Sequence, residues 1–333
     1  MHPMTPTTIP PLISGGVMLT YRCTNACRHC LYRCSPRHDK HFMPESMIDA
    51  TMAALAKETT LHGIHLAGGE ATLDWKRLVY AIRSARRHGI AIDCLETNGS
   101  WCDDERTAHE GFSRLHEAGL RSVLISVSLF HNEFIPLAKT KTAIRAATEI
   151  FGRRGVTVWT LDVLERMNAA KLDEQRTHSL DESSRLLELS WGREALWRLH
   201  GYLTPGGRAV EQLAEGLPTW PAESFEGDAC GRILENTTHF HIDPLGNLFT
   251  GHCPGISVAN VGDLHPAIDS TKHAIYCQLA EGGPVWLWRG LAPEFEPDPR
   301  GYVSKCHLCL DLRKHLRSTG RYEELRPDEF YRE

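Results

Sequence analysis

Three cysteines near the beginning of the chain, Cys23, Cys27 and Cys30, form a C-x₃-C-x₂-C triplet. Three thiolates spaced this closely can bind three irons of a cubane iron–sulfur cluster and leave the fourth iron open to another ligand. A structural zinc site needs a fourth ligand and commonly uses closely paired cysteines, so the triplet is incomplete as a zinc site. We expect a cluster with one open iron here, and zinc remains the alternative.

Four further cysteines lie in the last third of the chain: Cys230, Cys253, Cys306 and Cys309. The first two flank the β-prone runs 238–243 and 247–250, which are separated by Pro244-Leu245-Gly246 and therefore predict a hairpin. The last two begin a helical pattern over residues 306–317. Four thiolates can complete a closed iron–sulfur cluster or a zinc site.

The segment between residues 17 and 208 alternates short β-prone runs with longer helical patterns, which is typical of βα units around a parallel sheet. The predicted strands are residues 17–22, 63–67, 90–96, 122–128, 156–161 and 196–203, and the predicted outer helices are residues 45–58, 74–88, 103–118 and 138–153. Active sites of βα barrels lie at the carboxyl ends of the strands. Because the first predicted strand ends just before Cys23, the pattern predicts an α/β fold, a partial (β/α)₆ TIM-like barrel, with the triplet at its active end.

Composition narrows the class of protein. The 333 residues include 37 Lys+Arg and 42 Asp+Glu, a formal net charge of −5, and no basic block, so we expect no nucleic-acid partner. No apolar run reaches the ~18 residues of a membrane span, and residues 1–16 lack the features of a signal peptide, so we expect a cytoplasmic protein with no membrane contact. Eleven cysteines are too few for a disulfide scaffold of this length and suit a reduced, metal-loaded protein.

The cysteine triplet resembles the cluster loop of the radical S-adenosylmethionine (radical SAM) superfamily. The resemblance implies that Cys23, Cys27 and Cys30 hold a [4Fe–4S] cluster whose open iron chelates the amino and carboxylate groups of S-adenosylmethionine (SAM). It also implies that an electron from the cluster cleaves SAM to a 5′-deoxyadenosyl radical. His29 stands where an aromatic residue commonly precedes the last cysteine, and we expect it to pack near the adenine.

Polar and small residues at the ends of later strands match further positions of the superfamily. The resemblance implies that Gly68, Gly69 and Glu70 lie near the SAM ammonium, Thr97 and Asn98 near the cofactor, Ser126 and Ser128 near the ribose, and Arg208 near a carboxylate. Each has a plainer interpretation as an ordinary turn, a strand end or a surface arginine. The sequence leaves both interpretations open.

The segment after the fourth predicted strand carries an imidazole beside a carboxylate, His131 and Glu133. Either group could bind substrate or move a proton, so both are candidate catalytic residues, and a solvated loop is the alternative. Cys34 has no place in the superfamily pattern, and we expect it to be a packed thiol.

The run 240–249 and the four later cysteines resemble the SPASM and shorter Twitch extensions of the superfamily. Two departures exist: six residues separate Gly246 from Cys253, where these extensions usually have four, and His315 and Thr319 stand where a second SPASM cluster needs ligands. The resemblance therefore implies a small Twitch-like iron–sulfur domain with one auxiliary [4Fe–4S] cluster, and structural zinc is the alternative. The expected organisation is an extension over residues 1–16, a core barrel over 17–216, a Twitch-like domain over 217–320 and a tail over 321–333.

The expected function is that of a radical SAM enzyme, of oxidoreductase or transferase type, that abstracts hydrogen from a small metabolite or natural product and receives electrons from a donor such as flavodoxin or ferredoxin. Because only 22 residues precede Cys23, we expect no leader-peptide recognition domain at that end. Modification of a short ribosomally made peptide, transfer of a 3-amino-3-carboxypropyl group, and a non-catalytic iron–sulfur or zinc protein remain alternatives.

Overall fold

The computed structural model describes residues 7–187 and 203–332. One eight-stranded sheet has the order β6-β5-β4-β3-β2-β7-β8-β9, and a separate pair joins β1 to β10. The strands are β1 (Thr7–Thr8), β2 (Ser14–Met18), β3 (Gly63–Ala67), β4 (Ile92–Thr97), β5 (Val123–Ser126), β6 (Val156–Trp159), β7 (Phe240–Ile242), β8 (Asn247–Phe249), β9 (Ala259–Asn260) and β10 (Ala267–Ile268). Strands β2 to β6 are parallel to their neighbours. The α/β partial barrel predicted from the sequence is confirmed.

The helices cover the outer face of this sheet and build the C-terminal region. They are α1 (Glu45–Leu55), α2 (Trp75–Arg87), α3 (Glu105–Ala118), α4 (Leu129–Asn132), α5 (Leu137–Phe151), α6 (Leu161–Ala169), α7 (Leu180–Leu186), α8 (Arg208–Gln212), α9 (Gly231–Leu234), α10 (Ala274–Leu291), α11 (Lys305–Ser318) and α12 (Asp328–Tyr331). Helix α2 shows why they form: the Asp74 side chain accepts from the Arg77 amide and caps the helix, and Leu78, Ile82 and Ala85 bury one face. No helix among the described residues is long and apolar enough to cross a bilayer.

The first barrel strand differs from its prediction. It covers Ser14–Met18, whereas residues 17–22 were predicted, so its first three residues fall in the segment assigned to the N-terminal extension. Gly15 and Gly16 have low strand propensity, and this hid the start of β2 in the sequence. The cluster triplet therefore lies in a long loop between β2 and α1.

Helix α10 contains a kink, and one predicted strand lies outside the described chain. Pro284 lies within α10, directly after the kink at Gly283, where φ is 75°. Proline is well tolerated at the first position of a helical segment, so the second half of α10 begins there. The predicted sixth strand, residues 196–203, lies outside the described residues except for Leu203.

The predicted hairpin is present and belongs to the same sheet as the barrel. Strand β7 pairs in parallel with β2, and β8 pairs antiparallel with β7. Asp243 closes the turn, because its Oδ1 accepts from the amides of Leu245 and Asn247, both at 2.9 Å. The C-terminal hairpin therefore brings its side chains to the edge of the barrel interior.

Candidate functional site

A cavity of about 380 Å³ opens at the carboxyl ends of the parallel strands. Ten of the residues singled out in the sequence line it: Cys23, Cys27, His29, Cys30, Gly68, Gly69, Thr97, Asn98, Ser126 and His131. Glu70, Ser128, Glu133 and Arg208 are not among the described residues that line the cavity. The strand-end residues and the cysteine loop thus meet at one place, as the barrel topology requires.

The three cysteines of the triplet lie on one tight loop. The Cys30 amide donates to the Cys27 carbonyl at 3.0 Å, and the Asn98 amide group lies 3.6 Å from the Cys23 sulfur. Burial raises the pKa of Cys23 to about 12 and that of Cys27 well above its ordinary value. Thiols of high pKa in an apolar site become ligands when a metal centre replaces their protons. The loop therefore suits a metal-bound state.

Cys34 also lines the cavity, a position that the sequence pattern did not indicate. Its hydrogen bond to Cys30 lowers the pKa of Cys30 to about 6, against the opposing effect of burial. The same bond raises the pKa of Cys34. Cys34 is buried, as expected, and it supports one of the three triplet sulfurs.

Arg208 holds the loop that carries the cysteine triplet. Its side chain is fully buried and donates to the carbonyls of Cys27 at 2.9 Å, Arg33 at 2.7 Å and Cys34 at 3.1 Å. Its own amide donates to the Cys30 carbonyl at 3.1 Å. A buried guanidinium bonded to several carbonyls both orders the loop and places a positive charge near the thiols.

The Gly68-Gly69 turn packs directly on the backbone of the cluster loop. The Gly69 amide donates to the Thr20 carbonyl at 2.7 Å, and a Cβ at Gly69 would overlap the Arg22 carbonyl. Gly68 has a φ of 145°, which side chains rarely adopt. Only glycine allows this turn to approach the loop so closely.

Glu70 joins two strand ends below the cavity. Its Oε1 accepts from the Thr72 and Thr97 hydroxyls at 2.7 and 2.9 Å, and its Oε2 accepts from the Asn98 amide at 2.8 Å. Burial raises the pKa of this carboxyl, and the hydrogen bonds oppose that shift. Glu70 therefore orders the turns that carry Thr97 and Asn98.

Aromatic rings cluster around His29, the residue before the last cysteine of the triplet. His29 stacks on Phe130 and Trp159, with ring centroids 4.8 and 5.6 Å apart. His131 lies edge-on to His29, and its Nδ1 is 2.7 Å from the Ser128 hydroxyl. This wall of flat rings can accept a planar group such as an adenine by stacking.

Glu133 and Ser128 have local partners. Glu133 forms an ion pair with Arg28 at 3.1 Å, so it links α4 to the cluster loop. The Ser128 hydroxyl accepts from the His131 amide and begins α4. These contacts support positioning of the loop and of His131.

Four histidines form part of the cavity region that sequence reasoning missed: His65, His239, His241 and His252. His239, His241 and His252 line the cavity, together with Glu96 at the end of β4. Burial lowers the pKa of His65 to about 4 and raises the pKa of Glu96 to about 7. The alternation of His239 and His241 with Phe240 and Ile242 on a predicted strand was the available signal, because alternate residues share a face.

The four C-terminal cysteines lie close enough to one another for their charges to interact. Burial, as the main cause, and neighbouring thiols of the set, as a further cause, raise the pKa of Cys230 to about 12 and that of Cys306 to about 11. Cys253 has its pKa raised by burial and by the same neighbours. None of the four lines the cavity described above. They form a second, separate candidate metal centre.

The most compact group of possible metal-ligand atoms lies outside the two cysteine sets. Among the described residues, the only group of three or more possible ligand atoms within 4.8 Å of one another belongs to His65, His239 and His241. Tetrahedral zinc, with Zn–S bonds of about 2.3 Å, would bring its sulfurs to within about 3.8 Å of one another. In the described part of the chain, no three sulfurs of either cysteine set lie within 4.8 Å of one another.

Solved structures resemble the chain at low identity. BtrN in complex with AdoMet and 2-DOIA is 14% identical, with 81% of this chain and 88% of that chain covered and a TM-score of 0.42. Native anSMEcpe with bound AdoMet is 16% identical over 75% of this chain and 78% of that chain, with a TM-score of 0.41. HydG, a maturase of the [FeFe]-hydrogenase, is 15% identical over 58% and 51%, with a TM-score of 0.24. No curated protein matches the chain significantly.

The family model of the Radical SAM superfamily matches residues 17–180. The matched segment contains the cysteine triplet, the Gly68-Gly69 turn and the ends of β4, β5 and β6 that line the cavity. Such enzymes use SAM and a [4Fe–4S] cluster, and the three thiols and the stacking wall fit those groups. The chain belongs to the radical SAM superfamily.

Proposed function

We propose that this protein is a radical SAM enzyme that cleaves SAM reductively and abstracts hydrogen from a small metabolite or natural product. The observation that carries the proposal is the meeting of three triplet cysteines and the strand-end polar groups in one cavity. Cys23, Cys27 and Cys30 would hold the cluster, which supplies the electron that converts SAM to a 5′-deoxyadenosyl radical.

The remaining residues of the cavity would bind and orient SAM. Gly68 and Gly69 line the cavity and would lie beside its amino-acid moiety, and the stacked ring of His29 would contact the adenine. Thr97, Asn98 and Ser126 offer hydrogen bonds at the strand ends. The enclosing aromatic side chains would exclude water from a reactive primary radical.

The size of the cavity favours a small substrate. The cavity volume of about 380 Å³ must hold SAM as well as the substrate, and small-molecule sites alone take about 300–1,000 Å³, so little room remains for the substrate. Polar side chains at its wall, Glu96, His239 and His241, would suit a substrate that carries hydroxyl, amino or carboxylate groups. His131 is the wall residue that we propose to contact substrate or move a proton.

The four C-terminal cysteines are proposed to hold one auxiliary [4Fe–4S] cluster in a Twitch-like region. With four thiolate ligands this cluster has no open iron, so direct coordination of substrate there is not expected. Arg313 supports an anionic centre, because its buried guanidinium lies near Cys253, Cys306 and Cys309. An electron carrier such as flavodoxin or ferredoxin would supply the barrel cluster.

The test is SAM cleavage by anaerobically reconstituted protein reduced with dithionite. The wild type should contain about eight irons per chain and release 5′-deoxyadenosine. Cys27→Ala should lose about half the iron and all product. The matched control is Cys277→Ala, which removes another buried thiol, outside both sets, and should retain both properties.

The substrate class is tested by deuterium transfer into 5′-deoxyadenosine. Perdeuterated small polyols and amino acids are compared with perdeuterated short peptides. Transfer from a small molecule supports the proposal, and transfer from peptides alone would replace it with peptide modification. Iron-loaded protein that yields no 5′-deoxyadenosine, or one zinc per chain in place of iron, would favour the non-catalytic alternative.

A further inference from the structure

In three adjacent strands, a glycine on the middle strand lies between one histidine on each neighbouring strand. Gly16 of β2 is the register partner of His65 in β3 and also of His241 in β7. Directly paired residues of neighbouring strands project to the same face of a sheet. Both imidazoles therefore point into the barrel interior, above the position where a Gly16 side chain would lie.

The glycine makes their meeting possible. A Cβ at Gly16 would overlap the Nε2 atoms of both His65 and His241, which lie 2.9 Å from each other. Any other residue at this position would push the two imidazoles apart. The close approach of the two imidazoles thus depends on glycine at position 16, although glycine has a low strand propensity.

A third imidazole completes the group. His239 lies edge-on to His241 and nearly parallel to His65, with ring centroids 4.9 and 5.5 Å away. One ring nitrogen from each of the three residues lies within 4.8 Å of the other two. Glu96 adds a carboxylate oxygen 3.8 Å from the Nε2 of His65. His252, which also lines the cavity, stacks on His239 with ring centroids 4.4 Å apart.

The hydrogen bonding within this group is incomplete. Two neutral imidazoles that face each other through Nε2 can share only one proton. His241 is 5% exposed, and its Nδ1 has no hydrogen-bond partner among the described residues. Buried polar atoms are normally paired, so an unpaired ring nitrogen on a buried histidine that contacts two further imidazoles points to a missing ligand.

We propose that His65, His239 and His241 bind one divalent transition-metal ion at the wall of the cavity, with Glu96 as the nearest carboxylate. Imidazole nitrogens with one carboxylate suit Zn²⁺, Fe²⁺ or Co²⁺ rather than Mg²⁺ or Ca²⁺, which prefer oxygen ligands. The site is separate from both cysteine sets, and metal binding does not depend on the radical reaction.

The site has an open side toward the cavity, since His239 and His241 both line it. Metal sites with three protein ligands commonly keep one position for water or substrate. The class of ligand at that position is an oxygen donor, such as the hydroxyl or carboxylate of a small molecule. The ion would then fix the orientation of the substrate within the cavity.

The test uses the full chain, loaded anaerobically with its iron–sulfur clusters, and Zn²⁺ as the probe. Zinc content after gel filtration, isothermal titration calorimetry and zinc X-ray absorption are measured. We expect one zinc per chain beyond the iron, with nitrogen and oxygen neighbours at about 2.0–2.1 Å and no sulfur neighbours at about 2.3 Å.

His65→Phe and His241→Phe keep the ring volume and remove the nitrogens, and each should weaken zinc binding by at least about tenfold. Gly16→Ala should do the same although all three histidines remain. His116→Phe, at an exposed histidine on α3, is the matched control and should bind zinc as the wild type does. Iron content near the wild-type value in each variant shows that the barrel is folded.

Three outcomes would overturn the proposal: no zinc bound, zinc with sulfur neighbours, or unchanged affinity in the histidine variants. The first would leave the histidines as a hydrogen-bonded network. The second would assign the zinc to a cysteine set. Should His241→Phe lose iron and so fail to fold, the half-buried His239→Gln variant provides the same comparison.

Discussion

The two cysteine sets have one feature in common and differ in another. Each set is held by a buried arginine that donates to carbonyls beside the thiols: Arg208 to Cys27 and Cys34 in the barrel, and Arg313 to Pro254, next to Cys253, at 2.7 Å. A guanidinium bonded to carbonyls beside the thiols places a positive charge near them. Both sets are therefore suited to an anionic centre.

The difference lies in the number of thiols and in their origin. The barrel set comes from one loop, has three thiols in the superfamily pattern and faces the cavity. The C-terminal set comes from separate segments: Cys230 precedes α9, Cys253 follows β8, and the other two lie in α11. A set of three thiols, which leaves one iron of a cluster open, suits the place where chemistry occurs. A set of four thiols, which leaves no iron open, can instead hold together segments that are distant in sequence. The predictions below test this division.

Replacing the barrel arginine should have the largest effect. Arg208→Gln leaves buried carbonyls of the cluster loop without donors, at about 1–3 kcal/mol each, so the loop should lose its cluster. We expect about half the wild-type iron and no detectable 5′-deoxyadenosine. Iron content and product are measured on the same anaerobic sample.

Arg208→Lys is the matched variant, since it keeps the charge but not the planar set of donors, and it should retain part of the iron. The superfamily resemblance gives Arg208 a different role, in which it pairs with a carboxylate. In that case Arg208→Gln would keep its iron and raise the KM for SAM. That result would contradict the positioning role derived from the carbonyl contacts.

The corresponding change in the C-terminal set should have a smaller effect on catalysis. Arg313→Gln removes the donor to the Pro254 carbonyl and the charge near Cys253, so the auxiliary cluster should be lost. About half the iron should remain, and SAM cleavage should continue, because the cavity and its loop are untouched. Loss of SAM cleavage in iron-containing Arg313→Gln protein would show that the two centres are not separable.

Elements with local signals could be predicted from the sequence. Strand β3 was predicted with its exact bounds, and the hairpin was found from Pro244-Leu245-Gly246, because turn residues and short apolar runs act over a few positions. The cysteine triplet and the Gly68-Gly69 turn were found because their spacing is local. Their position at one cavity followed from the parallel topology.

Features that depend on long-range register could not be predicted. Strand β2 pairs with β7 across more than 200 residues, and only that pairing brings Gly16 between His65 and His241. Arg208 was assigned to a ligand carboxylate, since the sequence does not indicate that the Cys27, Arg33 and Cys34 carbonyls would surround it. The spacing in the sequence identified the thiols, whereas the side chains that hold the cysteine loop could be identified only from the structure.

The smallest expected effect concerns Glu324, which anchors the helix behind the C-terminal set. Its carboxylate accepts hydrogen bonds from the amides of Ile275 and Tyr276 at 2.8 and 3.0 Å. The Leu279 carbonyl of α10 in turn accepts a hydrogen bond from the Cys230 amide. Burial raises the pKa of Glu324 from its ordinary value of 4.5 to about 7, and the two amide bonds oppose the shift only in part. Because the pKa of Glu324 is raised, the folded state binds the carboxyl proton more tightly than the unfolded chain does. The resulting stabilisation is fully present below pH 4.5, the ordinary pKa, and is lost as the pH rises through about 7.

Glu324→Gln cannot ionise and should therefore lack this dependence. Between pH 5.5 and 8 the wild type should lose about 2 kcal/mol of stability relative to the variant, which corresponds to a fall of a few degrees in relative Tm. Anaerobic thermal unfolding of both proteins at a fixed scan rate measures the difference in stability between them. SAM cleavage, measured at each pH, is the internal reference that reports on the barrel cluster. If the wild type instead gains stability relative to Glu324→Gln as the pH rises, the amide bonds dominate over burial, and the C-terminal set is braced by an ionised carboxylate as well as by a buried arginine.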